Sequence, residues 1–284
     1  MAELTAPEST SVGSTRLGRD AETTVQQLGS LADLAGTWIG THGWELIAVP
    51  NLPTADFRLI LRPYVETITF TATGAPVPNR GGTAGDMFIT GLTYALRIAD
   101  LDTNEPLHLE NGMWLDLGPE GQNAITRLAA VPHGDVLLAI GTATEAPGPP
   151  NLPELSALPI GLPANAGFGY TDPYITNPPI VTSNVNAVLE QAIQGLNIVQ
   201  TTTLSVATES GGGILNIPFV NTNAATTKFW CTYWIETIKD ETTGDEVMQL
   251  QYSQQTNIEF IDNAQDPGTL IVWPHTNVNT LRKQ

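Results

Sequence analysis

Alternating hydrophobic and polar positions dominate this chain and predict β-strands. In the segment 34–44 (LAGTWIGTHGW), an extended backbone places Trp38, Gly40 and His42 on one side and the residues between them on the other. Trp and Ile favour strands, and a glycine within a strand marks a sharp bend or a close approach of two backbones. Such a strand suits a small barrel, whose strands must coil to close, and it suits a β-sandwich equally well.

Segments of the same kind recur along most of the chain, separated by turn residues. Because they follow one another without regularly alternating helices, we expect an antiparallel sheet. Counting predicts about ten strands. The eleven candidate segments are 34–44, 57–72, 87–99, 107–117, 123–131, 136–143, 197–208, 214–220, 227–239, 246–260 and 269–281.

The segment 146–224 interrupts this pattern. Prolines cluster in its first part (APGPPNLPELSALPIGLPAN), and proline fits neither the middle of a β-ladder nor the interior of a helix. Further on, apolar residues at helical spacing predict one short helix at Val185–Gln194, with Gly195 to end it. The apolar residues among the prolines indicate an excursion that packs against the sheet.

Composition and charge exclude several classes of function. The 284 residues carry a formal net charge of −18, which repels phosphate backbones and anionic lipid, so we expect neither nucleic-acid nor membrane partners. Cys231 is the single cysteine, so an intramolecular disulfide and a cysteine-based zinc site are excluded. The first residues lack an apolar export segment, and we therefore expect a cytoplasmic protein.

Three segments carry motifs of a known family. The opening strand 34–43 reads LAGTWIGTHG, the segment 106–114 reads PLHLENGMW, and 130–134 reads AVPHG, with Gly141 following. Together they resemble the LAGTWxGxGxG, PLHxExGFW and AHPTGxxExxxG motifs of the nitrobindin-like heme-binding β-barrels. That family is related to the fatty-acid-binding proteins and the lipocalins. The second motif is the most specific of the three.

A weaker likeness continues in 248–257 and in the last strand, so the resemblance covers residues 30–145 and 225–283. It implies an all-β fold, an antiparallel calycin-type barrel of about ten strands. We therefore expect a polar, mobile tail at residues 1–28. A single barrel domain would follow at 29–284, with a long Pro-rich insertion at about 146–224 that contains the short helix.

The same resemblance implies a ligand and a site. The family holds ferric heme, here heme b, in the barrel mouth through one histidine of the last strand. It binds nitric oxide and isomerises peroxynitrite to nitrate. By this likeness His275 would coordinate the iron, and we expect His108, Thr37, Trp38 and Trp273 to line the heme site. With heme bound, weak peroxynitrite isomerase or peroxidase-type activity would follow.

The register of the last strand decides whether His275 faces the interior. Counting back from Thr280, the family's ligand position falls on Thr276, one residue beyond His275. A shift of one residue reverses the face of a strand, which would turn His275 outward. A bulge at Pro274 would restore the inward direction.

The remaining candidates each have a structural alternative. His108 is either a group on the pocket wall or a buried histidine bonded to a carboxylate or a carbonyl. His42 suits an exposed position on the barrel rim, and His133, in a Pro-His-Gly-Asp sequence, suits a turn. Cys231 has no basic neighbour in sequence and is best interpreted as a small core residue.

Two other functions stay open at this stage. The barrel could carry a fatty acid or another small hydrophobic ligand without heme. Alternatively, a barrel with a filled interior could have a structural or assembly role, and self-association is compatible with either. The sequence lacks a Gly-x-Ser-x-Gly, P-loop or His-Glu-x-x-His motif, which removes the commonest hydrolase, nucleotide and zinc-protease interpretations.

Overall fold

The computed structural model describes residues 26–51, 56–117, 124–160 and 180–284. Within these residues, the short α-helices α1 (Ala187–Ala192) and α2 (Pro218–Asn223) accompany the sheet, together with 3-10 helices at Gly29–Leu34, Gly82–Ala84 and Thr208–Ser210. Twelve strands lie in the described residues: β1 (Gly36–Asn51), β2 (Asp56–Ala72), β3 (Val77–Arg80), β4 (Asp86–Asp100), β5 (Pro106–Asp116), β6 (Ala124–Val131), β7 (Asp135–Pro147), β8 (Ile198–Ala207), β9 (Gly213–Asn216), β10 (Ala225–Lys239), β11 (Glu246–Asp262) and β12 (Leu270–Lys283).

Ten of these strands close into an antiparallel ring. The hydrogen-bonded order runs β2, β1, β12, β11, β10, β8, β7, β6, β5 and β4, and a further pairing of β2 with β4 completes the circle. β3 pairs only with β4, and β9 only with β7, so both lie off the ring. The barrel and its strand number are therefore confirmed, and the sandwich alternative is wrong.

The predicted insertion at about 146–224 contains one strand of the ring, β8, between helix α1 and β9. Helix α1 begins two residues later and ends two residues earlier than predicted. It packs on the outer face of the barrel, where Gln251 Nε2 of β11 donates to the carbonyl of Leu189 at 3.0 Å. The predicted strand 214–220 is wrong in its second half, because Pro218 starts helix α2 there.

The start of β1 builds one end of the core. Trp38 is completely buried, and its Nε1 donates to the carbonyl of Leu34 at 2.7 Å. A bulge between Gly40 and Gly43 then shifts the pairing with β2. A Cβ on Gly43 would lie 2.2 Å from the ring of Tyr64, so glycine is required at this bend.

The ends of the described regions add two observations. Residues 1–25, most of the predicted tail, lie outside the described residues, whereas Leu28 is buried in the barrel core. Among the helices that the structure describes, none is long and apolar enough to cross a membrane.

Candidate functional site

The barrel interior is divided into a filled end and an open end. Large side chains fill the first end, among them Trp38, Trp114, Tyr233 and Tyr252, each at most 1% exposed. The open end holds a cavity of about 460 Å³. Most of its wall is aliphatic, and its polar and charged lining comes from Glu45, Arg58, Arg62, His108, Glu110, His133, Asp135, Thr226, Gln254, Thr256, His275 and Asn277.

His275 faces this cavity. On β12 it lies opposite Thr256 of β11, and both side chains line the cavity wall. The neighbouring Thr276 is completely buried on the outer side, where it accepts a hydrogen bond from Gln255 Nε2 at 2.7 Å. The pairing of β11 with β12 runs regularly through Pro274, so His275 faces inward without the bulge considered at that proline. The inward direction of His275 needs no such correction.

Glu45 of β1 holds the His275 ring against the wall. Its Oε1 lies 3.1 Å from His275 Nε2, and the two side chains are 15% and 19% exposed. Burial by itself raises the pKa of Glu45, but the hydrogen bond and the charge of His275 outweigh it and leave this pKa below its ordinary value. The carboxylate is therefore ionised and accepts a hydrogen bond from the ring N–H of His275.

A pair of histidines, His108 and His133, also lies on the wall of this cavity. His108 Nδ1 is 3.2 Å from His133 Nε2, and His108 Nε2 is 3.4 Å from Oε2 of Glu110. His133 occupies the turn between β6 and β7, as predicted, yet its ring reaches back to His108. Burial and the nearby charges of His108 and His275 lower the pKa of His133, which favours its neutral form.

Arg127 forms the boundary between the open and the filled end. Its side chain is completely buried and donates from Nη2 to Glu110 at 2.7 Å. Nη1 reaches Gln254 Oε1 at 3.1 Å and Cys231 Sγ at 3.2 Å. Burial raises the pKa of Glu110, but Arg127 and the other partners lower it to about 2, so this carboxylate is ionised.

Cys231 lies in this boundary layer as a thiol. Burial raises its pKa to about 12 despite the neighbouring Arg127. A thiol that stays protonated is a poor nucleophile and a poor metal ligand. The interpretation of Cys231 as a small core residue therefore fits its surroundings.

The filled end contains a separate buried carboxyl group, Glu66 of β2. Its Oε2 accepts hydrogen bonds from the Tyr252 hydroxyl at 2.7 Å and from Asn279 Nδ2 at 2.8 Å. Burial raises its pKa from 4.5 to about 7, because these bonds and the distant Arg127 compensate only in part. The two buried carboxyl groups of the interior thus have pKa values displaced in opposite directions.

The structure brings together two of the five residues expected at the site. His275 and His108 share the cavity. Thr37 lies on the outer face, bonded to the Thr69 hydroxyl at 3.0 Å, and Trp38 belongs to the filled end. Trp273 stacks on Phe260 in another cluster, away from the cavity wall. Thr37 and Trp38 precede the bulge of β1, and this places them at the opposite end of the barrel.

Glu45, Arg58 and Arg62 were not found by sequence reasoning. They lie on the long hairpin of β1 and β2, where Glu45 is opposite Arg62 and Arg58 is opposite Val49. The available signal was the period of two in β2, which places residues 58, 60 and 62 on one face. The same face of β2 continues inward through Tyr64 and Glu66, whereas Glu45 faces inward only because the bulge in β1 reverses the alternation that begins at Trp38.

His42 and the acidic loops have local roles. His42 is exposed, as predicted, and its Nδ1 lies 2.9 Å from the Thr41 hydroxyl. Asp100 Oδ1 accepts backbone N–H bonds from Asp102 and Thr103, which closes a turn. Within the described part of the chain, no group of three or more His, Cys, Asp or Glu side chains could hold a metal ion.

One comparison with known proteins, that with protein families, supports the resemblance. The family model of the THAP4-like, heme-binding β-barrel domain matches residues 27–152, which contain β1 to β7 together with His108 and His133. His275 lies outside that match. Solved structures that are similar include the crystal structure of Rv2717c from M. tuberculosis. It has 18% sequence identity and a TM-score of 0.46, over 94% of this chain and 99% of that one. The curated proteins contain no match.

Proposed function

We propose that the cavity binds heme b, or a similar flat and largely apolar ligand, and that His275 is the iron ligand. The observation that carries this proposal is the position of the His275 imidazole on the wall of a cavity of about 460 Å³. Small-molecule sites in proteins typically measure about 300–1,000 Å³ and combine apolar walls with a few polar groups. Neutral imidazole is a common axial ligand of heme iron.

The chemistry of the donor group fits this role. One ring nitrogen of His275 is bonded to Glu45, and the other makes no hydrogen bond with a described residue. A histidine that binds a metal usually donates its second N–H to a carboxylate or a carbonyl, which fixes the ring and raises its basicity. Glu45, which is ionised and mostly buried, is placed to do this.

The rest of the wall supports an apolar body with a polar edge. Aliphatic side chains from eight strands and from helix α2 surround the space, including Ile47, Ile60, Leu96 and Val220. When bound, heme would supply an iron with an open position for nitric oxide, peroxynitrite or peroxide. His108, held between the ionised Glu110 and His133, would form part of the polar wall beside a small ligand in the cavity. We propose weak isomerase or peroxidase-type activity on this basis.

Titration with hemin tests the proposal. We expect a Soret band that saturates at one hemin per chain and that shifts in His275→Ala. His42→Ala is the matched control, because His42 is exposed and lies outside the cavity wall, so its band should equal that of the wild type. A chain that shows no stoichiometric Soret band, or a band unchanged in His275→Ala, would contradict the assignment.

A carrier of a small lipophile without heme is the second candidate, favoured by the aliphatic wall. It predicts uptake of an apolar fluorescent probe that a fatty acid displaces, with no effect of His275→Ala. The assembly interpretation required a filled interior, and the cavity at the open end removes that premise.

A further inference from the structure

Two arginines project from one face of β2 into the open end of the barrel. Arg58 and Arg62 lie four positions apart, with Ile60 midway between them, and all three side chains line the cavity. Arg58 is exposed and Arg62 is about half exposed, so they belong to the opening of the cavity. The two guanidinium groups therefore lie along one edge of an otherwise mostly aliphatic space.

These cations lack strong partners of their own. Arg58 makes no hydrogen bond or ion pair with another described residue. Arg62 Nη1 lies 3.8 Å from Asp100 Oδ2, with the arginine side chain 43% exposed, and such exposed pairs contribute little. The chain has 29 acidic and only 11 basic residues, so two arginines on one wall of the same cavity stand out against its overall charge.

The acidic groups of the cavity do not neutralise this edge. Glu110 is bonded to Arg127 at 2.7 Å, and Glu45 is bonded to His275 at 3.1 Å. The third acid, Asp135, whose pKa burial raises, begins β7, a strand that does not pair with β2. Glu45 is ionised and lies opposite Arg62, but its hydrogen bond goes to His275. The two arginines of β2 are therefore the cations of the lining that lack a strong partner among the described residues.

We infer that the ligand of this cavity is an amphiphilic acid, with an apolar body among the aliphatic side chains and a carboxylate at Arg58 and Arg62. The inference rests on the proposed function, since it names the ligand class of the same site. A guanidinium group pairs with a carboxylate through two parallel N–H bonds, which gives orientation as well as affinity. Both a porphyrin with carboxylate side chains and a fatty acid have this chemistry.

The overall charge of the chain makes the local arginines more important. A net charge of −18 repels an anion at long range, but salt screens this field beyond about 10 Å at 0.1 M ionic strength. Near the opening, the two guanidinium groups provide the attraction. The preference for an acid should therefore weaken at high salt, where exposed charge pairs are screened.

Two matched pairs of ligands test the inference on the full chain. The first pair is hemin and its dimethyl ester, and their binding is measured by the quenching of tryptophan fluorescence. The second pair is dodecanoate and methyl dodecanoate, and their binding is measured by titration calorimetry. In each pair both compounds have the same apolar body, and the ester lacks the free carboxylate of the acid. We expect the acid to bind about three- to tenfold more tightly than the ester in at least one pair.

Substitutions then locate the preference. Arg58→Gln should lower the affinity for the acid about threefold or more and leave that for the ester unchanged, and Arg58→Lys should retain part of the preference. Arg97→Gln is the matched control: it removes one positive charge from the exposed outer face of β4 and should change neither affinity.

The outcomes separate the two proposals. Equal affinity for acid and ester in both pairs, or the same loss in Arg97→Gln as in Arg58→Gln, overturns the inference, and hemin binding through His275 would survive. A preference for dodecanoate without hemin binding overturns the heme proposal and supports the inference. Failure of all four compounds to bind overturns both.

Discussion

The two ends of the barrel use the same ring of strands and differ in what their inward positions carry. Along β2, Tyr64, Glu66 and Phe70 are buried at the filled end, whereas Arg58 and Arg62 line the cavity at the open end. The backbone alternation is the same in both parts. The kind of side chain at the inward positions therefore decides where a closed sheet is a core and where it is a container.

The boundary between the two ends is electrostatic as well as steric. Arg127 is buried against the aromatic rings of the filled end, with its guanidinium carbon 5.7 Å from the centroid of Tyr233, and it pairs with Glu110 beside the cavity. A buried ion pair is costly to form and more costly to break. The layer thus keeps the polar wall of the cavity apart from the packed core.

Breaking this boundary has the largest expected effect. Arg127→Met leaves the ionised Glu110 buried without its partner, so we expect the free energy of unfolding to fall by about 3–5 kcal/mol. Urea denaturation measures the change. The double variant Arg127→Met with Glu110→Gln removes both charges and should recover most of the loss. No recovery would mean that the pair does not act as a unit.

Truncations at the two ends should differ in cost. Trp38→Ala empties a fully packed site and should cost about 3–5 kcal/mol, whereas Ile60→Ala enlarges an existing cavity and should cost about 1 kcal/mol. Denaturant midpoints and slopes of both variants give the comparison. Equal costs would show that the open end is packed as tightly as the filled end.

The pH dependence of stability should have opposite signs at the two carboxyl groups. Glu66 has its pKa raised from 4.5 to about 7, so the folded chain retains a proton that the unfolded chain has released. Stability should fall by about 3 kcal/mol as the pH rises from 4.5 to 7. Glu110 has its pKa lowered from 4.5 to about 2, so its contribution is lost as the pH falls through that window.

Glu66→Gln separates this effect from that of Glu236, whose pKa burial also raises to about 7. The glutamine keeps a neutral acceptor for Tyr252, so the variant should lose only the part of the slope that belongs to Glu66. Unfolding free energies at pH 5 and pH 7 provide the measurement. An unchanged slope would assign the whole effect to other groups.

Thr37→Val should have the smallest effect. It removes one hydroxyl bond with Thr69 on the outer face, which is worth about 1 kcal/mol or less. Hemin affinity should equal that of the wild type, because Thr37 lies outside the cavity wall. A clear loss of affinity in this variant would return Thr37 to the ligand site.

The sequence predicted the ring because strand alternation and turn residues are local properties. It also led to two residues that line the cavity. His108 lies in a family motif, and His275 lies in a strand near the chain end. Trp38 and Thr37 were misplaced because the bulge at Gly40–Gly43 depends on the ring of Tyr64, which is distant in sequence. Such a contact between strands cannot be read from either strand alone.

The partners of the histidines were missed for a similar reason. Glu45 meets His275 across 230 residues of sequence, and His133 meets His108 across 25. Each contact depends on the register between strands and on the path of a turn. A turn sequence such as Pro-His-Gly-Asp predicts where the chain reverses, and the direction of the histidine ring follows only from the surrounding fold.

A crystal structure of the chain saturated with hemin tests the central claim most directly. The account predicts one porphyrin in the open end, with its iron bonded to a ring nitrogen of His275 and Glu45 bonded to the other. It also predicts an unchanged filled end around Trp38. A porphyrin on the outer surface, or an interior with His275 turned away from it, would contradict the account.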